Sequence, residues 1–160
     1  GGGDGDDDDD DDENENGAAA TSTADHNRAL MALAQQRRLI FVFTDLENST
    51  PMSQANTDAY QVVQSVHDRI MREQLQEHGG FEVNTQGDAF EIAFVTAASA
   101  IDFCLVVQER MLHVKWPPEV LELPSCNQVV EPSTGLLVYS GPRVRMGVHL
   151  AESGGVGGGG

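Results

Sequence analysis

Residues 38–50 read RLIFVFTDLENST, and the change of character inside that stretch decides how the rest of the chain is read. Arg38 to Asp45 is almost continuously apolar and rich in branched and aromatic side chains, the pattern of a central β-strand covered on both faces. The run ends on a carboxylate, Asp45, and then breaks into small polar residues. A charge closing a buried run is costly unless something opposite compensates it, and a divalent cation would do so. Ser49 and Thr50 precede Pro51, and a proline at the first helical position behind a hydroxyl cap marks a helix start. That helix keeps Ala59, Val63, Val66 and Ile70 on one face, with Val62 beside them and Leu75 further on. It stops at His78-Gly79-Gly80, where glycine takes the left-handed C-terminal conformation.

Downstream, FEVNTQGDAFEIAF (81–94) alternates twice. Phe81, Val83 and Thr85 share one face, and Phe90, Ile92 and Phe94 share one face of the second run. Gln86-Gly87-Asp88 between them is turn chemistry, so a β-hairpin with a carboxylate at its tip is expected. Thr96 caps a second helix whose stripe is Ala97, Ile101, Cys104, Leu105, Gln108, Met111 and Leu112. Cys104 then reads as a small core residue rather than a reactive thiol. Residues 115–141 hold most of the prolines and little periodicity, and read as an irregular insertion. RVRMGVHL (143–150) sets Val144, Met146 and Val148 against Arg143, Arg145 and Gly147, a half-buried strand. Strand, helix, hairpin, helix, strand is an α+β order: a ferredoxin-like palm, an antiparallel sheet with helices on one face.

In such a sheet the hairpin packs beside the first strand, so Asp45 and Asp88 reach the same end. Two like charges at close range repel, and an oxygen-seeking divalent ion removes the conflict. Glu47, Asn48, Ser49 and Thr50 lie between the carboxylates and the helix, whose first backbone N–H groups suit phosphate. Metal on one side and helix start on the other describe a triphosphate cradle. The competing reading is plain turn chemistry, since Asp after a strand and Gly-Asp at a hairpin tip are both common. No G-K-[ST] occurs, which excludes a Walker-type loop.

Charge divides the chain. Its first 17 residues, GGGDGDDDDDDDENENG, hold ten of the 26 acids and no base, leaving sixteen acids against nine Lys and Arg elsewhere. We expect residues 1–36 to be an acidic, low-complexity, disordered leader, residues 37–150 to be the folded domain, and residues 151–160 to be a Gly-rich flexible end. The body is mildly acidic with no Lys/Arg cluster, against nucleic-acid binding. Cys104 and Cys126 make no disulfide framework, and the five histidines form no H-x-x-x-H pair, so zinc is not expected. No apolar stretch reaches membrane-spanning length, so a soluble, intracellular segment without membrane contact is expected, compatible with an anchor elsewhere in a longer protein.

FVFTDLENST, GGFEVNTQGDAFEIAF and VRMGVH resemble, in order and spacing, the catalytic domain of class III adenylyl and guanylyl cyclases. The resemblance runs from about Leu39 to His149, roughly the first two thirds of such a domain, so the chain is expected to stop before the family's later segment. It implies that Asp45 and Asp88, with the backbone carbonyl of Leu46, hold two Mg²⁺ or Mn²⁺ ions. Asn48 to Thr50 would lie against the β- and γ-phosphates of a nucleoside triphosphate. The product would be a 3′,5′-cyclic nucleotide, with pyrophosphate released, in intracellular signalling. Active sites of the family form between two domains, so a second cyclase domain, identical or different, is the implied partner. The family reads its base partly at the position of Asn84, for the partner's site, where lysine accompanies adenine and glutamate guanine. Asparagine offers both a donor and an acceptor, and ATP is favoured over GTP. GVHLAES departs from the usual Thr-Gly after the histidine. The fragment alone is expected to bind metal weakly and cyclise poorly. The alternatives are a non-catalytic cyclase-like dimerisation domain, a diguanylate cyclase (disfavoured by Ala89 where a second acid is usual), and an acidic interaction module.

Overall fold

The computed structural model describes residues 35–152, together with Arg28 and 31–33. Apart from those few positions, the expected acidic leader and Gly-rich end lie outside the described residues. In chain order the elements are β1 (Arg38–Leu46), α1 (Ser49–Ala55), α2 (Thr57–Glu77), β2 (Phe81–Gln86), β3 (Ala89–Phe94), α3 (Ala97–Leu112), α4 (Pro118–Leu121), β4 (Val129–Val130), β5 (Leu137–Tyr139) and β6 (Val144–Glu152). The four long strands form one sheet in the order β2-β3-β1-β6, antiparallel at every step, and β4 and β5 form a separate ribbon. This is the expected ferredoxin-like palm. Val63, Ile70 and Met71 of α2 and Phe103 and Val107 of α3 share one buried cluster with Ile40, Val42 and Leu46 of β1 and Phe90, Ile92 and Phe94 of β3. Each such side chain contributes about 1.5–3 kcal/mol by leaving water.

β1 is covered on one face only, not two. Ile40, Val42, Thr44 and Leu46 are buried, whereas Phe43 is 47% exposed and stacks on Phe41 at 6.3 Å between ring centroids. Strand side chains alternate between faces, and among the described residues both long helices pack on the same side. The apolar run thus leaves an open sheet face bearing two aromatics.

The first helix also starts differently. Asn48, not a hydroxyl residue, caps α1; its φ is 60° and its carbonyl accepts from the Met52 N–H at 2.9 Å. Pro51 falls inside the first turn, where amides have no intrahelical acceptor to lose. The helix breaks at extended Asn56, whose side chain accepts from the Ala59 N–H at 3.1 Å and opens α2. Val62 is exposed, and His67, Met71 and Gln74 join Ala59, Val63, Ile70 and Leu75 in the buried face. α2 closes at His78 and left-handed Gly79 as expected.

In the hairpin, Phe81 and Thr85 do not share a face. A bulge between Glu82 and Asn84 pairs Phe81 with Ala93, Glu82 with Ile92, Asn84 with Glu91 and Thr85 with Phe90. One extra residue inverts the alternation before it, so Glu82 turns to the helix side, where it meets the Arg72 guanidinium at 3.1 Å; Asn84, opposite Glu91, lies on the open side.

Thr96 caps α3, accepting from the Ser99 N–H at 3.1 Å. The buried stripe is Ala100, Phe103, Val107 and Met111, whereas Ile101 and Leu105 are exposed. The helix is rotated about one residue from the expected stripe. Cys104 is half-buried and burial raises its thiol pKa, in keeping with a packing role.

Residues 115–141 are not irregular throughout. Trp116, Val120, Leu123 and Cys126 belong to the core, and the Trp116 Nε1–H donates to the Met111 carbonyl at 3.3 Å. β6 runs through Ala151 and Glu152, past the expected boundary at 150, and Glu152 pairs with Arg38 at 2.8 Å. Its core-side row is buried at Val144, half-buried at Met146 and exposed at Val148, because α3 covers only its start.

Candidate functional site

Asp45 lies one residue before the end of β1, on the open face with Phe41 and Phe43. The β1–β6 ladder sets Arg145 directly opposite, and its guanidinium donates to the Asp45 carboxylate. The two side chains are 42% and 63% exposed, so the pair contributes only about 0–1 kcal/mol.

Asp88 arrives from the hairpin. Gly87, at φ 64°, takes the first of two turn positions, which the mirror-image turn of a tight hairpin requires of its first residue. The Asp88 carboxylate accepts from the buried Leu46 N–H at 2.9 Å and from the Tyr60 hydroxyl at 3.4 Å. Burial, then the Asp88 charge, raise the Tyr60 pKa, and the Ser49 hydroxyl opposes them weakly. The hairpin carboxylate is therefore delivered to the residue next to Asp45. The two acids lie at the same end of the sheet and have separate donors: Arg145 for Asp45, on the open face, and Leu46 and Tyr60 for Asp88.

Residues 47–50 form the turn beyond them. The Glu47 N–H donates to the Arg143 carbonyl at 2.9 Å, and its side chain lies 3.8 Å from the Arg143 guanidinium. Asn48 donates from Nδ2 to the Ser125 hydroxyl at 2.5 Å, and Ser49 and Thr50 open α1. Asn84 stands exposed in a row with Glu91, Phe43 and Gly147, on the same sheet face as Asp45.

The donor set at the strand end is all oxygen: two carboxylates and backbone carbonyls. That chemistry fits a hard divalent ion such as Mg²⁺ or Mn²⁺ and not a thiolate- or imidazole-seeking one. Among the described residues no group of three or more His, Cys, Asp or Glu could hold a metal, so remaining ligands would have to come from substrate or water.

Sequence reasoning missed Arg145, Tyr60 and Ser125. Arg145 becomes readable once the β1–β6 register is fixed, and Tyr60 sits a turn into α2 within reach of the hairpin tip. No local signal marks Ser125.

No protein-family profile matches the chain. It is 44% identical over 115 residues to the adenylate cyclase of Neurospora crassa, covering 72% of this chain and 5% of that protein. To the adenylate cyclase of Lachancea kluyveri it is 44% identical over 108 residues, covering 68% of this chain and 6% of that one. The chain thus spans a small part of its curated relatives. A Trypanosoma brucei adenylate cyclase structure in its monomeric state shares the fold, with a TM-score of 0.64 at 23% identity, covering 73% of this chain and 58% of that one.

Proposed function

Because this chain belongs to the adenylyl and guanylyl cyclase catalytic-domain family, we propose that it supplies the metal-binding half of a site converting a nucleoside triphosphate to a 3′,5′-cyclic nucleotide and pyrophosphate. The observation carrying this reading is the 2.9 Å bond by which Asp88 reaches Leu46, one residue from Asp45. Asp45, Asp88 and the Leu46 carbonyl would hold two Mg²⁺ or Mn²⁺ ions; bound there, such ions lower the pKa of the ribose 3′-hydroxyl and neutralise the departing pyrophosphate.

The chain's own residues do the rest by placement. Leu46 and Tyr60 fix the Asp88 carboxylate before substrate arrives, a preorganisation that lowers reorganisation cost. Arg145 holds Asp45 at the strand end and must yield when a cation binds. Glu47, Asn48, Ser49 and Thr50 face the phosphates, and Asn84 on the open face serves the base in a partner domain's site. ATP is the favoured substrate, in line with the names of the curated relatives. The partner is a second cyclase domain docked on the sheet face that bears Phe41 and Phe43. Full turnover requires that second domain, so this chain alone binds nucleotide weakly and cyclises little. No described helix is long and apolar enough to cross a membrane; attachment would come from elsewhere in a longer protein.

The experiment is Mn²⁺-dependent ATP binding by the chain, with cyclisation assayed in the longer protein. Asp45→Ala and Asp88→Ala should each abolish turnover; undiminished turnover refutes the assignment. A second reading, a non-catalytic dimerisation domain, is favoured by the Asp45–Arg145 pair, which already neutralises one acid. It predicts no metal-dependent nucleotide binding.

A further inference from the structure

Two non-glycine residues among those described have positive φ: Asn48 at 60° and Ser125 at 64°. Such a conformation costs about 1–2 kcal/mol in a residue with a Cβ, and it persists where surroundings over-determine it. These two residues are bonded to each other, 77 positions apart, through the 2.5 Å contact from Asn48 Nδ2 to Ser125 Oγ. The next residue, Cys126, is fully buried with its sulfur 3.3 Å from that of Met52 in α1. The Cys126 carbonyl accepts from the Gly141 N–H at 3.0 Å, and the Arg143 carbonyl accepts from the Glu47 N–H at 2.9 Å. Residues 125–126 and 141–143 therefore grip both ends of the 47–52 segment.

We propose that the insertion is a clasp that sets the shape of the 47–50 turn, with Ser125 the positioning residue that holds Asn48 in its left-handed conformation so that the turn meets substrate phosphates. Ser125 touches no reacting group and acts only through Asn48. Released from Ser125, Asn48 loses the partner that offsets its backbone strain, and the turn samples ordinary conformations pointing its amides elsewhere. The role toward phosphate rests on the cyclase reading above; the clasp itself does not.

The test uses three replacements with different chemistry. Ser125→Ala keeps the strained backbone and loses the acceptor, Ser125→Gly relieves the strain and loses the acceptor, and Ser125→Asn tolerates positive φ and keeps an acceptor oxygen. Hydrogen exchange of the 47–52 amides is measured in the 160-residue chain, and KM and kcat for Mn²⁺·ATP in the longer protein. Ala and Gly should speed exchange there and raise KM, each about fivefold to tenfold, the scale of one hydrogen bond, with kcat within about twofold, and Asn should restore both. Wild-type exchange in the Gly variant overturns the clasp, as does a general loss of stability with no local change in 47–52. Faster exchange with unchanged KM overturns the role toward phosphate. A wild-type protein that takes no Mn²⁺·ATP refutes the cyclase reading instead, and exchange alone then decides the clasp.

Discussion

Arg145 faces Asp45 across the β1–β6 ladder and donates to its carboxylate, so the acid that closes the central strand is already counter-charged by its own sheet. Both side chains are substantially exposed, which keeps the pair weak in water and exchangeable for a stronger cation. Arg145→Ala should therefore change folding stability by less than about 1 kcal/mol while raising Mn²⁺ affinity without nucleotide several-fold. Denaturant unfolding and Mn²⁺ titration check the two parts; unchanged Mn²⁺ affinity would show that the arginine does not compete.

Asp88 behaves differently because its partner is a buried amide. Removing the carboxylate in Asp88→Ala leaves the Leu46 N–H without an acceptor, a loss of about 1–3 kcal/mol. Asp88→Asn keeps an acceptor oxygen and should lose clearly less. Asp45→Ala, which strands no buried group, should stay within about 1 kcal/mol of wild type. Urea midpoints of the three variants order them.

His67 gives the fold a pH dependence. Its ring is fully buried, with Nδ1 3.0 Å from Asp68 and Nε2 without a partner. Burial lowers its pKa, outweighing the opposing pull of Asp68 and Asp88, while nearby Arg72 adds to the lowering. The unfolded chain accepts a proton near pH 6.5 that the folded chain refuses, so stability falls as pH drops below that value. Unfolding midpoints should decline between pH 6.5 and 5, and His67→Leu should flatten that slope.

Gly141 has no room for a side chain. Its φ is 78°, and a Cβ there would lie 2.1 Å from Trp116 Nε1. Gly141→Ala should cost more than about 2 kcal/mol, combining left-handed strain with displaced core packing, and should shift the emission of the chain's single tryptophan. Gly135→Ala shares the positive φ but meets nothing within 4 Å, so it should cost only about 1–2 kcal/mol.

Legibility followed locality. The end of β1 just past Asp45, the Gly87-Asp88 turn, the Thr96 cap and the stop at Gly79 are encoded within a few residues of where they act, and each was readable. Register is a relation between strands, so neither the bulge at Val83 nor the apposition of Asp45 and Arg145 could be seen beforehand. Ile101 and Leu105 misled because apolar character says nothing about which flank a neighbour covers. The bond between Asn48 and Ser125 joins segments whose meeting depends on the whole fold, and it left no trace in either stretch.

The bulge in β2 decides which residue of the strand faces the helices. Deleting Val83 alone would leave the pairs in place, Glu82 with Ile92 and Asn84 with Glu91, so both side chains would keep their faces. A ladder that kept Val83 but lost the bulge would instead set Val83 opposite Ile92 and turn Glu82 outward, away from the guanidinium of Arg72.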